Sequence, residues 1–128
     1  MTRLKTAATM IALCLSTSGA SACDLNGAFI VAFQSNDTIV TFDEISQEGQ
    51  EIAGNAVFRD VRGHFRGVMK RNGILSFVTE WSDGTRGAYT AQVTNDGRLS
   101  DGRTFEVGNP DNSASWGLGD PSNRLRCI

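Results

Sequence analysis

His64 stands in a run of cations. From Phe58 to Arg71 the chain reads FRDVRGHFRGVMKR. In a strand, a period of two puts Arg62, His64, Arg66 and Lys70 on one face and Val61, Phe65 and Met69 on the other. Such a stripe would hold an anion or an acidic partner. The competing reading is a solvated face, paired across strands with acids such as Glu80 or Glu51 at about 0.2–1 kcal/mol per pair. His64 is also the only histidine, so acid–base work near neutral pH would rest on it or on a tuned carboxylate. A nucleophilic triad would need it beside a serine and an acid, and the chain has no Gly-x-Ser-x-Gly elbow. Cysteine or histidine pairs at zinc spacing and a phosphate loop are also missing. The sequence implies no catalytic residue, metal or cofactor.

Aromatic residues give a second constellation. Phe77, Trp81 and Tyr89 fall on the apolar side of two neighbouring candidate strands. There they either fill a core or grip a small apolar or aromatic ligand. Asn109, Asp111, Asn112 and Asp120 form an oxygen-rich stretch. Its spacing is not that of an EF-hand and no closing glutamate follows, so it reads as a polar terminal loop. Asn36-Asp37-Thr38 is a formal glycosylation sequon, with meaning only in a eukaryotic source.

The elements that would position these groups begin after a leader. Residues 1–22, MTRLKTAATMIALCLSTSGASA, start with Arg3 and Lys5. They continue with an apolar stretch from Ala7 to Leu15 and end in the small residues Ala20-Ser21-Ala22. That is the pattern of a cleaved signal peptide, and the stretch falls short of the roughly 20 residues a bilayer-spanning helix needs. Removing 22 of the 128 residues leaves one domain of 106 (23–128), with ten basic and fourteen acidic side chains and a net charge of −4. A mildly acidic domain lacks the positive footprint of non-specific nucleic-acid binding. Cys14 leaves with the leader, while Cys23 and Cys127 remain at the two ends. In an exported protein, periplasmic or secreted, they are expected to form one disulfide. The alternative is a lipoprotein anchored through an acylated Cys23, although Ala20 replaces the large apolar residue usual three places before such a cysteine.

No stretch of the domain has a capped 3.6-residue apolar period. Short runs rich in Val, Ile, Thr and Phe alternate instead with turns. Asn72-Gly73, Asp83-Gly84 and Asp96-Gly97 follow one another at intervals of 11 and 13 residues. Such dipeptides suit tight hairpins, which require positive φ. Strands are expected near 27–33, 37–46, 50–58, 61–70, 74–82, 86–94, 98–107 and 113–118. Phe29, Val31 and Phe33 would share one apolar face. So would Ile52, Gly54, Ala56 and Phe58, then Leu75, Phe77, Thr79 and Trp81, and then Gly87, Tyr89, Ala91 and Val93. Two places break the rhythm. Ile39 to Phe42 alternates ambiguously, and simple parity would turn Asp101 and Arg103 inward unless a bulge intervenes. The fold class is therefore all-β, a single antiparallel up-and-down barrel of about eight short strands, with a β-sandwich as the alternative. Closure would bring Cys23 and Cys127 together.

The segments Asn26-Gly27-Ala28-Phe29, Gly73 to Trp81, Ser82 to Tyr89 and Asp96-Gly97-Arg98-Leu99 resemble the small exported meander barrels of the avidin and lipocalin-like (calycin-type) group. There glycine, an aromatic and a DG turn recur hairpin by hairpin. The resemblance implies the fold and a ligand-holding interior. It does not imply biotin: Phe29 stands where avidin-type proteins carry a tryptophan, and none of their ligand contacts is carried over. The functional expectation is a non-enzymatic binding module for a small ligand or a protein partner. Two other classes compete with it, a barrel enzyme of isomerase or cyclase type and an exported inhibitor of a hydrolase. The few titratable residues on the expected inner face favour binding.

Overall fold

The computed structural model of the protein describes residues 23–126. The leader at 1–22 and Cys127 lie outside the described residues. Eight strands follow one another: β1 (Ile30–Gln34), β2 (Ile39–Glu48), β3 (Glu51–Phe58), β4 (Val61–Met69), β5 (Ile74–Trp81), β6 (Arg86–Val93), β7 (Leu99–Glu106) and β8 (Asn109–Gly117). Each pairs antiparallel with the next, and β8 returns to β1 to close the barrel. The expected up-and-down barrel is the architecture found, and the sandwich is excluded. The closing seam is short, with Phe33 opposite Gly117 and Gln34 opposite Trp116. Beyond it, Ser35 N–H donates to the Ser115 carbonyl at 2.8 Å, and Ser115 N–H donates to the Ser35 hydroxyl at 3.0 Å.

Hairpin chemistry sets the register. Gly73, Gly84 and Gly97 turn the chain at φ 92°, 92° and 86°, a region closed to most side chains. Asp83 braces its turn by accepting from Thr85 N–H at 3.0 Å and from the Thr85 hydroxyl at 2.7 Å. Those bonds hold its carboxyl below the usual range.

Alternation places the core. Ile52, Ala56, Phe65, Met69, Leu75, Phe77, Tyr89, Ala91 and Val93 are buried as their parity predicts. Phe42 occupies the middle, edge-on to Phe65, Phe77 and Tyr89 at centroid distances of 5.5, 5.1 and 5.2 Å. Phe77 and Tyr89 stack at 5.1 Å with their planes 7° apart. At this level the barrel is filled by side chains, as small barrels generally are.

The first strand reverses its expected parity. Ile30 and Ala32 face inward, while Phe29 and Phe33 lie on the outside, 63% and 42% exposed. Smaller residues fit inside because Phe42, Tyr89 and Trp116 already occupy the interior. Phe33 packs instead over Gly119, where a Cβ would stand 2.8 Å from its ring.

Of the two irregular places, Ile39 to Phe42 pairs in regular register just before a bulge, and Asp101 is itself at one. In β2 the register shifts between Asp43 and Ser46, with Glu44 at φ 49°. Val40 and Phe42 before it, and Ile45 after it, can therefore all face inward. In β7 Asp101 takes φ 56° near a register shift between Thr90 and Gln92 on the pairing with β6. Gly102 and Thr104 then point in, while Asp101 and Arg103 stay exposed. Simple parity fails there because one extra residue reverses every side chain after it.

Candidate functional site

The two ends of the barrel differ. At one end the first and last segments of the described residues cover the opening. Leu25 and Leu125 are buried with Cys23 in the core. Leu25 N–H donates to Gln47 Oε1 at 2.8 Å, Gly27 N–H to the Ile45 carbonyl at 2.9 Å and Leu125 N–H to the Gly97 carbonyl at 2.8 Å. The Cys23 Sγ lies 3.9 Å from the Arg126 carbonyl oxygen. Polar groups that water would otherwise solvate are thus bound across the opening, and leucine side chains fill the space beneath.

The opposite end carries the turns after β1, β3, β5 and β7. Between them a pocket of about 230 Å³ descends into the barrel. Trp81, Phe58 and Val40 form apolar parts of its wall, and Tyr89 and Thr104 reach it from β6 and β7. Trp81 is there because β5 ends on an inward position, and Gly87 opposite Thr79 leaves the wall recessed beside it. The Tyr89 hydroxyl donates to Gln34 Oε1 at 2.9 Å, and Gln34 Nε2 donates to Asn36 Oδ1 at 3.3 Å. Burial pushes the Tyr89 phenol up to about 12, with a hydrogen bond from Thr104 acting the other way. The phenol is therefore a neutral donor at physiological pH, fixed in direction by Gln34. Such a site can stack a flat ligand and orient it by hydrogen bonds.

The three aromatics predicted from sequence are not equivalent. Trp81 and Tyr89 line the pocket. Phe77 is buried and stacks on Tyr89, so it supports the floor from below. Gln34, Asn36, Phe58 and Thr104 were not among the predicted site residues. Phe58 carried a signal in its alternation with Ile52 and Ala56. Gln34 carried none, because it meets Tyr89 only through barrel closure, and Thr104 carried none, because it turns inward opposite Tyr89 only after the bulge at Asp101 has reset the parity of β7.

The basic stripe lies on the outer face. Arg62, His64 and Arg66 are exposed on β4, and Lys70 is exposed at the turn that follows. His64 sits opposite both Asn55 and Glu80 in the ladders. Its Nδ1 is 3.0 Å from Asn55 Oδ1, and Asn55 Nδ2 donates to Glu44 Oε1 at 3.0 Å. A carboxylate only accepts, so the amide orientation is fixed and Nδ1 of His64 carries the proton. Asp43, Glu44 and Glu80 line the same outer groove as Arg62 and His64. At about 450 Å³ this groove is larger than the mouth pocket. Its charges are of both signs and face water, where they screen one another. Glu51, the other acid considered, pairs with Val68.

The oxygen-rich stretch is not the single terminal loop expected: Asn109, Asp111 and Asn112 belong to strand β8, and only Asp120 lies beyond it. Asn112 Nδ2 donates to Glu106 Oε1 at 2.9 Å, and Asp120 accepts from Ser122 N–H and the Ser122 hydroxyl, both at 2.8 Å. Among the described residues no group of three or more His, Cys, Asp or Glu side chains is arranged to hold a metal ion. Among them, too, no helix is long and apolar enough to cross a membrane. In comparisons with known proteins, no family model, curated protein or solved structure matches the chain.

Proposed function

We propose that this is an exported binding barrel of the calycin-like kind, which holds a small, flat, largely apolar ligand in its open mouth. One observation carries the reading. The barrel is plugged at one end by the segments around Leu25 and Leu125, while the other end keeps a pocket with aromatic walls and an oriented hydrogen-bond chain from Tyr89 to Asn36. A core built only for stability would have filled that space, because interiors otherwise pack to crystal-like density. At about 230 Å³ the pocket is below the roughly 300–1,000 Å³ of sites for drug-sized molecules, which points to a smaller ligand.

Export and the staple belong to the same reading. Residues 1–22 direct the chain out of the cytoplasm, to the periplasm or the medium, and Cys23 then pairs with Cys127. The nearness of Cys23 Sγ to the carbonyl of Arg126, one residue before Cys127, supports that pairing over acylation. Native mass spectrometry of the exported protein, purified from its own source without denaturation, tests the whole reading. The expected result is a mature chain two hydrogens lighter than its sequence mass, carrying a small non-covalent ligand. A fatty acyl group on Cys23 would overturn the staple. An apo protein that also stays unoccupied in a screen of small planar molecules would overturn the carrier.

A further inference from the structure

The wall of the mouth pocket holds a carboxylate with no cation. Glu106 lies two residues beyond the buried Thr104 on β7 and lines the pocket. It makes no ion pair among the described residues. Asn112 Nδ2 donates to its Oε1 at 2.9 Å, which orients the group and leaves Oε2 without a partner among those residues. Across β6 stands a donor without an acceptor. Trp81 Nε1 is 3.7 Å from where a Cβ of Gly87 would stand, and this nitrogen makes no hydrogen bond to another described residue. Gly87 pairs directly with Glu106 in the β6–β7 ladder. Because β6 runs between β5 and β7, the glycine leaves the wall open between the indole and the carboxylate, and all three residues line the pocket. Neighbouring groups are already committed. Tyr89 donates to Gln34, Gln34 to Asn36 and the Thr85 hydroxyl to Asp83.

An indole N–H only donates, and a carboxylate only accepts. A ligand that satisfies both must carry an acceptor and a donor as separate atoms of one head group. Simpler heads leave one partner wrong. A carboxylate would set like charge against Glu106, and an amidinium would set its own N–H against that of Trp81. We propose that the mouth pocket holds its ligand by a planar amide edge, a primary carboxamide or a lactam. The amide carbonyl accepts from Trp81 Nε1–H, and the amide N–H donates to Glu106 Oε2. This assignment rests on the mouth pocket being the ligand site, and it names the chemical class of the small flat molecule that the pocket takes.

Benzamide, benzoate and benzamidinium have nearly the same shape and differ only in this head group. The chain has two tryptophans, and Trp116 serves as the internal control because its Nε1–H already donates to the carbonyls of Thr90 and Arg103. The indole N–H resonances are followed by nuclear magnetic resonance during titration with each probe at neutral pH. Benzamide is expected to shift the Trp81 signal downfield, to leave the Trp116 signal in place and to bind more than about tenfold more tightly than either ion, the scale of one hydrogen bond to a charged group. Glu106→Gln removes the charge and keeps the oxygen that Asn112 uses. It should narrow the preference for benzamide over benzoate about tenfold. If either ion binds the wild-type protein within tenfold of benzamide, or if the folded Glu106→Gln protein discriminates like the wild type, the amide edge is wrong while the pocket stands. If no probe moves the Trp81 signal, the pocket reading falls and takes the amide edge with it.

Discussion

The Tyr89 hydroxyl and Gln34 Oε1, 55 positions apart in sequence, meet at 2.9 Å across the barrel. This bond ties β6 to β1, whose ladder to β8 is the shortest seam of the barrel. Tyr89 is the only tyrosine, so its ionisation can be followed directly. The folded phenol is raised to about 12 by burial, against about 10 for an unfolded chain. Below pH 10 the group is neutral in both states and costs nothing. Between pH 10 and 12 only the unfolded state ionises, so stability falls as pH rises, by up to about 2–3 kcal/mol. Tyr89→Phe should flatten this loss, and phenolate ultraviolet absorbance should rise together with unfolding rather than before it. A phenol titrating near pH 10 in the intact fold would refute its burial.

Inward glycines divide into two kinds, and alanine should separate them. At Gly67 a Cβ would lie 2.1 Å from the Ser76 carbonyl oxygen, and at Gly102 it would lie 2.1 Å from that of Trp116. Backbone cannot yield as a flexible side chain does. Gly67→Ala and Gly102→Ala should each therefore cost on the order of 2–4 kcal/mol, at the severe end for single substitutions. Gly87→Ala should cost less than about 1 kcal/mol, since nothing there is closer than 3.4 Å. Urea unfolding midpoints at constant slope would check the contrast. Equal costs at all three positions would contradict the strand spacing described here.

Most of the barrel is visible in the sequence because each hairpin announces itself locally. Asn72-Gly73, Asp83-Gly84 and Asp96-Gly97 mark turns whose φ angles only glycine tolerates cheaply, and parity then assigns β3 to β6 without error. Parity alone fails where the decision is global. Phe29 and Phe33 look like core residues by size, yet the interior beside β1 is already filled by residues from β2, β6 and β8. Glu44 and Asp101 are bulge residues with no glycine to announce them. The site divides in the same way: Trp81 and Tyr89 follow from alternation on adjacent strands, whereas Gln34 depends on closure and Thr104 on the register that the β7 bulge resets.

The staple is expected to act on stability and not on the pocket. A bridge from Cys23 to Cys127 closes a loop of roughly 100 residues, which the chain-entropy account values at about 4–5 kcal/mol, with native cases often lower. Cys23 sits at the plugged opening beside Leu25 and Leu125. Cys23→Ser with Cys127→Ser should lower the unfolding midpoint and expose amides of the two terminal segments to hydrogen exchange. Amides around Trp81 and Tyr89 should remain protected below the midpoint. Loss of protection at the mouth in the folded double variant would mean that the two ends are not independent.

The choice between the mouth and the outer basic face reduces to two substitutions. Arg66 is exposed on β4, pointing to water from the wall that buries Phe65, and exposed cations of this kind contribute little to stability, typically 0–1 kcal/mol per pair. Trp81 forms part of the pocket wall and carries the unpaired indole N–H. Trp81→Phe keeps an aromatic face but removes that donor and narrows the wall, so binding should weaken about tenfold or more, while far-UV circular dichroism stays that of a strand-rich fold. Arg66→Ala should leave binding of the same ligand within about twofold. The measurement is titration calorimetry with the molecule that copurifies, or with benzamide where none does. The opposite pattern, in which Arg66→Ala abolishes binding and Trp81→Phe is silent, would move the function to the outer face. The Arg62–His64–Arg66 stripe, with its imidazole oriented by Asn55 and Glu44, would then be the surface to explain.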